Sequence, residues 1–274
     1  MLSLSTLANM TIDFTGTTAL ITGASSGLGT AFATEFARRG ADVVLVARRE
    51  ERLRELADRI EREHGVRATP IALDLATSDA HTALRVALDE RGIRIGTLVN
   101  NAGFGVKGAF VDADPARIAE MVQLNVASLV AITREFLPDL VREGRGALVN
   151  IASTAAYQPC PDMAVYGASK AFVLSFTEAL AYENRASSLR VLTLSPGATR
   201  TEFFDIVGTG DAAVGSFQSP EEVVGLALRR LDRRRTPASV VSGRANAITS
   251  TLVRFMPRRL ALSASGRVLA DPKR

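Results

Sequence analysis

Residues 17–29, Thr17-Thr18-Ala19-Leu20-Ile21-Thr22-Gly23-Ala24-Ser25-Ser26-Gly27-Leu28-Gly29, decide the fold. Thr17–Thr22 is an apolar, β-branched run that reads as a buried strand. A helical pattern leaves the turn at Gly27 and runs to Arg39, where Gly40 stops it. A strand that enters a helix through glycines can bring its backbone close to a ligand. The helix N-terminus then presents free N–H groups and a partial positive charge, the layout that holds a pyrophosphate. The glycines Gly23, Gly27 and Gly29 are spaced G-x-x-x-G-x-G rather than G-x-G-x-x-G. The turn alone therefore leaves an ordinary tight strand-to-helix connection open.

The same alternation continues outward. Strands are predicted at Asp42–Ala47, Ala68–Leu73, Thr97–Asn100, Ala147–Ala152, Leu189–Ser195 and Ser239–Ser242. Helices are predicted at Glu50–His64, Ser78–Glu90, Pro115–Arg142, Tyr166–Arg185 and Pro220–Leu231, and residues 196–218 read as loop. Strand, helix, strand at this spacing means βαβ units and a parallel sheet. The fold class is α/β: a Rossmann-type, doubly wound, mostly parallel sheet of seven strands with helices on both faces. The 274 residues, 47% of them apolar, suffice for one core and show no repeat or linker. Residues 1–12 read as a flexible lead-in, with Met1 or Met10 as the start. Residues 13–244 read as a single catalytic domain and 245–274 as a basic amphipathic extension.

Several function classes are disfavoured. Cys160 is the single cysteine, so no internal disulfide forms, and no Cys/His spacing points to a metal. A reducing, cytoplasmic setting fits, with Cys160 a spectator. No apolar run approaches the roughly 18–20 residues that span a bilayer. The first ten residues lack the basic and apolar blocks of a secretory signal. No aromatic-basic platform suggests nucleic acid. Charge is uneven: from Arg229 onward twelve Lys/Arg face only Asp232 and Asp271, in a chain whose net charge is +4. Such asymmetry points to a local partner of the C-terminal region.

The end of the second strand discriminates between dinucleotides. A carboxylate there suits the ribose 2′-OH of NAD, an arginine the 2′-phosphate of NADP. Val46-Ala47-Arg48-Arg49 has no carboxylate at that position, and Arg48 follows at once. NADP(H) is favoured over NAD(H), although Glu50 stands close enough in sequence to pair with either arginine.

Reactive side chains cluster downstream. Tyr166 and Lys170 are four residues apart on a helix and share a face, and Ser153 follows a strand. A carbonyl needs a proton on its oxygen as hydride arrives at its carbon. The ordinary phenol pKa near 10 is too high for easy exchange, and an adjacent ammonium favours phenolate. Lowering it by about three units requires roughly 4 kcal/mol of differential stabilisation. Ser153 can polarise the carbonyl.

With these residues placed, the chain resembles the short-chain dehydrogenase/reductase family, from about Thr17 to Val241. The resemblance rests on Thr22-Gly23-x-x-x-Gly27-x-Gly29, Asp74-Leu75, Asn100-Asn101-Ala102-Gly103, Asn125, Ser153, Tyr166-x-x-x-Lys170 and Pro196-Gly197 with Thr199 and Thr201. It implies that Gly23, Ser25, Ser26, Gly27, Leu28 and Gly29 contact the cofactor, and that Asp74 binds adenine beside the Leu75 main chain. It implies that Asn101, Ala102 and Gly103 border the adenine ribose. Pro196, Gly197 and Thr199 would border the nicotinamide, and Thr201 would reach a phosphate. Tyr166 and Lys170 would touch the cofactor as well as the substrate. Asn125 would bend its helix and hold water for a relay through Lys170. The family's basic residue before the second glycine is replaced by Ser26, so the NADP preference rests on Arg48.

The expected function is NADP(H)-dependent interconversion of a carbonyl and an alcohol. An NAD-dependent dehydrogenase and a cofactor-binding sensor with little turnover are the alternatives. The pocket walls expected at Phe104–Phe110, Ala155–Met163 and 200–218 are mostly apolar, which favours a lipophilic carbonyl substrate. Apolar long helices at Pro115–Arg142 and Tyr166–Arg185 suit a homodimer or homotetramer, as the resemblance implies. In the extension, Ile248, Leu252, Phe255 and Met256 fall on one helical face with Arg254 opposite. This face is expected foremost to pack on the protein's own pocket or a partner subunit. A peripheral membrane contact or an acidic partner are the other readings.

Overall fold

The computed structural model describes residues 12–203 and 217–269. The strands are β1 (Thr18–Thr22), β2 (Asp42–Ala47), β3 (Ala68–Ala72), β4 (Thr97–Asn100), β5 (Ala147–Ile151), β6 (Arg190–Ser195) and β7 (Ser239–Val241). All pair in parallel in the order β3-β2-β1-β4-β5-β6-β7. The helices are α1 (Gly27–Arg38), α2 (Glu50–His64), α3 (Ala80–Asp89), α4 (Pro115–Val122), α5 (Leu129–Glu143), α6 (Ala164–Glu183), α7 (Pro220–Leu231), α8 (Arg244–Phe255) and α9 (Arg258–Leu269). The lead-in expected over 1–12 lies outside the described residues apart from Ile12.

Strand side chains alternate between two apolar layers, as a sheet covered on both faces requires. Ala19, Ile21, Val43 and Leu45 meet Phe32 and Phe36 of α1 and Leu228 of α7. Leu20, Val44 and Val46 meet Leu84 of α3 and Ile132 and Phe136 of α5. A buried ion pair, Arg39 Nη1 to Asp232 Oδ1 at 2.7 Å, joins the ends of α1 and α7. A second polar link crosses the sheet. Asn100 donates to Thr133 Oγ1 and Asn150 Oδ1, and Asn150 donates to Thr177 Oγ1 on α6, each at 2.8–2.9 Å. This chain of buried amides fixes α5 and α6 against β4 and β5, and α6 carries Tyr166 and Lys170.

Three expectations change. The helix predicted at Pro115–Arg142 is interrupted by a π-helical turn over Gln123–Ser128, which contains Asn125. Its whole span, Pro115–Glu143, is long and apolar enough to cross a membrane by length and composition. Here Ile132, Phe136 and Leu140 bury against the sheet, and Arg85 of α3 pairs with Glu135 and Asp139, so it serves as a core helix. The third change concerns α8. Its Ile248, Leu252, Phe255 and Met256 face is exposed, whereas Ser250 is buried and Asn246 is turned inward. Gly243 (φ 88°) turns the chain out of β7, and Asn246 then donates to Ser242 O at 2.9 Å and packs on Gly197. That contact sets the roll of the helix, so the polar side meets the protein.

Candidate active site

β1 runs to β2 on one side and to β4 on the other, so the crossovers diverge at the C-terminal ends of β1 and β4. Crevices open at such switch points. A cleft of about 570 Å³ lies there. It brings together the turn residues Gly23, Ser25, Ser26, Gly27 and Leu28, then Arg48, Asp74 and Leu75, then Asn101, Ala102 and Gly103. Its far end holds Ser153, Tyr166, Lys170, Pro196, Gly197 and Thr199, whereas Thr201 packs back against Gly27 of the turn. Gly29 and Asn125 do not line it. A Cβ at Gly29 would sit 2.1 Å from Gly23 O, so Gly29 lets α1 close against the turn.

The turn end suits a dinucleotide. Gly23 takes φ 66°, a conformation that favours glycine. Ser26 begins α1 with no side-chain cap and the first turn has no acidic residue, so the first N–H groups face the cleft uncompeted. Asn101 steadies this turn: Nδ2 donates to Thr22 O at 2.9 Å and Gly23 O at 3.2 Å, and Thr22 Oγ1 accepts from the N–H of Asn101 and Ala102. Asp74 Oδ1 accepts from Ala76 N at 2.9 Å, which orders the loop after β3.

Arginines gather at the same end. Arg49 donates to Ser25 Oγ at 3.0 Å, and Arg49 and Arg52 both pair with Glu202. Arg48 pairs with Glu120 at 3.3 Å. Glu120 also holds Arg117, whose guanidinium lies 3.8 Å over the Phe104 ring. Glu50, able by sequence to pair with Arg48 or Arg49, pairs with Arg54 one helical turn on. Four arginines thus share two carboxylates, a local surplus of positive charge at the turn end. Arg49, Arg52, Arg117 and Glu202 were not anticipated from sequence; the Arg48-Arg49 doublet was the available signal for the first.

The other end is dry. Tyr166 and Lys170 are 7% and 6% exposed. Ser153 lies two residues beyond β5, where its Oγ accepts from Ala155 N at 3.1 Å and its hydroxyl acts on the Tyr166 phenol, favouring the ionised form. Lys170 Nζ donates to Ile151 O at 2.8 Å and lies 5.9 Å from the Tyr166 ring centroid. The electrostatics differ from the sequence expectation. Burial pushes the phenol up to about 12, and the Ser153 hydrogen bond only partly offsets it. Burial also pulls the Lys170 ammonium down to about 8. Desolvation outweighs the ammonium in the protein alone because both groups are withdrawn from water. Any phenolate must draw on charge that arrives with ligands.

Asn125 sits one layer behind. Its Oδ1 accepts from Phe104 N at 3.1 Å, and Nδ2 donates to Phe104 O and Ser169 Oγ. The side chain is thus a clamp on the segment after Gly103, and its hydrogen-bonding capacity is largely used. Cys160 is buried, pushed up to about 11 and directed at main-chain carbonyls, as a spectator would be.

Of the expected walls, Phe104, Ala155, Cys160, Met163 and Phe203 line the cleft. Tyr157 turns away to Ser195 Oγ at 3.3 Å, and Phe204 lies outside the described residues. Asn246, Thr249 and Ser250 of α8 add a polar strip that the sequence reading missed.

Comparison with known proteins agrees with this geometry. The family model for short chain dehydrogenases matches residues 17–210. Sulfoacetaldehyde reductase 2 of Chromohalobacter salexigens is 41% identical over 196 residues, 71% of this chain and 77% of that protein. The very-long-chain 3-oxoacyl-CoA reductase of Mus musculus is 30% identical over 258 residues, 91% and 80% respectively. A short-chain dehydrogenase from Sphingobium yanoikuyae, solved in complex with NADPH, superimposes with a TM-score of 0.78 at 36% identity. The match covers 94% of this chain and 99% of that one.

Proposed function

The chain belongs to the short-chain dehydrogenase/reductase family and is an oxidoreductase of a carbonyl/alcohol pair with NAD(P); from that premise we propose that it is an NADP(H)-dependent reductase of lipophilic carbonyl compounds. The observation that carries the proposal is one continuous cleft with arginines at its glycine-turn end and Ser153, Tyr166 and Lys170 together at its buried end.

Pro196 and Gly197 line the place where a nicotinamide would be held, and the bound cofactor would supply the hydride. Tyr166 gives its phenolic proton to the carbonyl oxygen; burial keeps the phenol protonated, and the transfer depends on Lys170 and on the charge developing at the carbonyl oxygen to draw the proton off. Ser153 donates to the same oxygen and stabilises the charge that develops there. Lys170, protonated at neutral pH, holds the nicotinamide ribose and stabilises the phenolate left behind. Asn125 holds Phe104 and thereby the wall facing Tyr166. Arg48 and Arg49 receive the 2′-phosphate, for which an arginine fork is suited. The NADPH complex of the Sphingobium protein supports that choice.

Phe104, Met163 and Phe203 support an apolar substrate, as does the mouse relative named for very-long-chain 3-oxoacyl-CoA. The sulfoacetaldehyde reductases are relatives of the opposite kind, so a panel must include both classes. NADPH and NADH oxidation against apolar and small polar ketones tests the proposal. Faster turnover of apolar ketones with NADPH is expected. Preference for NADH, or for small hydrophilic carbonyls, would overturn the corresponding part. The faces of α5 and α6 are proposed to pair two subunits, which a solution mass measurement checks.

A further inference from the structure

Helix α8 is amphipathic, but its polarity is inverted for a helix lying on a soluble protein. Asn246, Thr249 and Ser250 face the cleft, while Ile248, Leu252 and Phe255, at i, i+4 and i+7, form an outward stripe that is 62%, 61% and 84% exposed. The contact of Asn246 with Gly197 and Ser242 holds the helix in this roll, so it cannot simply rotate to hide the stripe. Leu260 and Leu262 of α9 are exposed as well, on either side of Ala261, which with Ser265 anchors α9 to the body. An exposed apolar stripe like that of α8 marks an interaction surface.

Charge selects the partner. Residues 244–269 contain five arginines, Arg244, Arg254, Arg258, Arg259 and Arg267, and no acidic residue. Arg254 is drawn toward Glu178 and the Tyr157 ring, whereas Arg258, Arg259 and Arg267 are exposed. A second copy docked by two-fold symmetry would set this patch against itself, arginines facing arginines with no carboxylate within it. An anionic bilayer surface accepts both features: the stripe enters the acyl boundary and the arginines meet the headgroups.

We propose that α8 and α9 form a monotopic docking surface for anionic membranes. Because the inner face of α8 lines the cleft, docking sets the cleft wall directly above the lipid. The assignment does not depend on which carbonyl is reduced.

Co-sedimentation of the full chain with phosphatidylcholine vesicles, with and without phosphatidylglycerol, tests it. Binding only to the anionic vesicles, weakened by salt, is expected. Leu252→Ser with Phe255→Ser should reduce the partition coefficient more than tenfold. Arg258→Gln with Arg259→Gln should reduce it on the order of 25-fold, at about 1 kcal/mol per arginine near the surface. These side chains are exposed, and unchanged thermal melts and NADPH binding confirm that each variant folds. No excess binding to anionic vesicles overturns the proposal, as does binding that neither variant alters. A dimer that dissociates in the Leu252→Ser/Phe255→Ser variant, without vesicle binding, overturns it in favour of a second copy.

Discussion

The two ends of the cleft solve opposite problems with opposite means. At the Tyr166 end the polar groups are buried, neither Tyr166 nor Lys170 forms an ion pair among the described residues, and desolvation dominates both titrations. At the turn end Arg48, Arg49, Arg52 and Glu202 are exposed and paired. Burial shifts a proton affinity far but destabilises the charged state of the fold. Exposed charge binds an anion with little penalty, yet is screened by salt. On the proposed function, chemistry sits in the buried end and recognition in the exposed one.

The comparison breaks most sharply at Ser153. Ser153→Ala should lower kcat by about 10²–10³, as loss of an oxyanion donor does, with NADPH affinity nearly unchanged. A comparable loss of NADPH binding would make Ser153 a cofactor residue instead. At the wet end, Arg48→Ala with Arg49→Ala should weaken NADPH binding about 10- to 100-fold, because two charge-assisted hydrogen bonds are lost. NADH binding should hardly move, and equal losses for both would remove the 2′-phosphate assignment.

Lys170 carries the pH dependence. Its folded pKa of about 8 lies below the ordinary 10.5. For reduction, kcat/KM should be flat below pH 8 and fall above it as the ammonium is lost. Between those two values the folded state binds fewer protons than the unfolded one, so this residue's contribution makes stability rise with pH across that window. At pH 7 the full penalty is present. Lys170→Met should then stabilise the inactive protein by on the order of 1–3 kcal/mol, less the hydrogen bond to Ile151 O. A lowered melting temperature would contradict this. The smallest effect is expected from Glu202→Gln. It frees Arg49 and Arg52 of an exposed partner and should tighten NADPH less than about fivefold, an effect that high salt removes.

How far the sequence could be read follows the same division. Local signals carried the strand positions and the glycine turn, because β-branched runs and the positions of Gly23 and Gly27 are set within a few residues. Tyr166 and Lys170 were legible because helical spacing alone puts them on one face. What escaped depended on distant partners. Arg117 and Glu202 reach the cleft from other elements, α4 and the segment after β6, and no local pattern marks them. The shifted phenol reflects burial, which spacing does not encode. Apolar periodicity named the face of α8 without saying which way it points: Asn246 on Gly197 turns that face outward, which excludes packing on the chain's own pocket and leaves an outside partner.

The most direct test of the central claim is single-turnover NADPH oxidation with a bulky apolar ketone, wild type against Tyr166→Phe. The account predicts that the variant binds NADPH within about twofold of wild type but loses turnover by about 10²–10⁴. Full turnover by the variant would contradict Tyr166 as the proton donor and with it the proposed reductase mechanism.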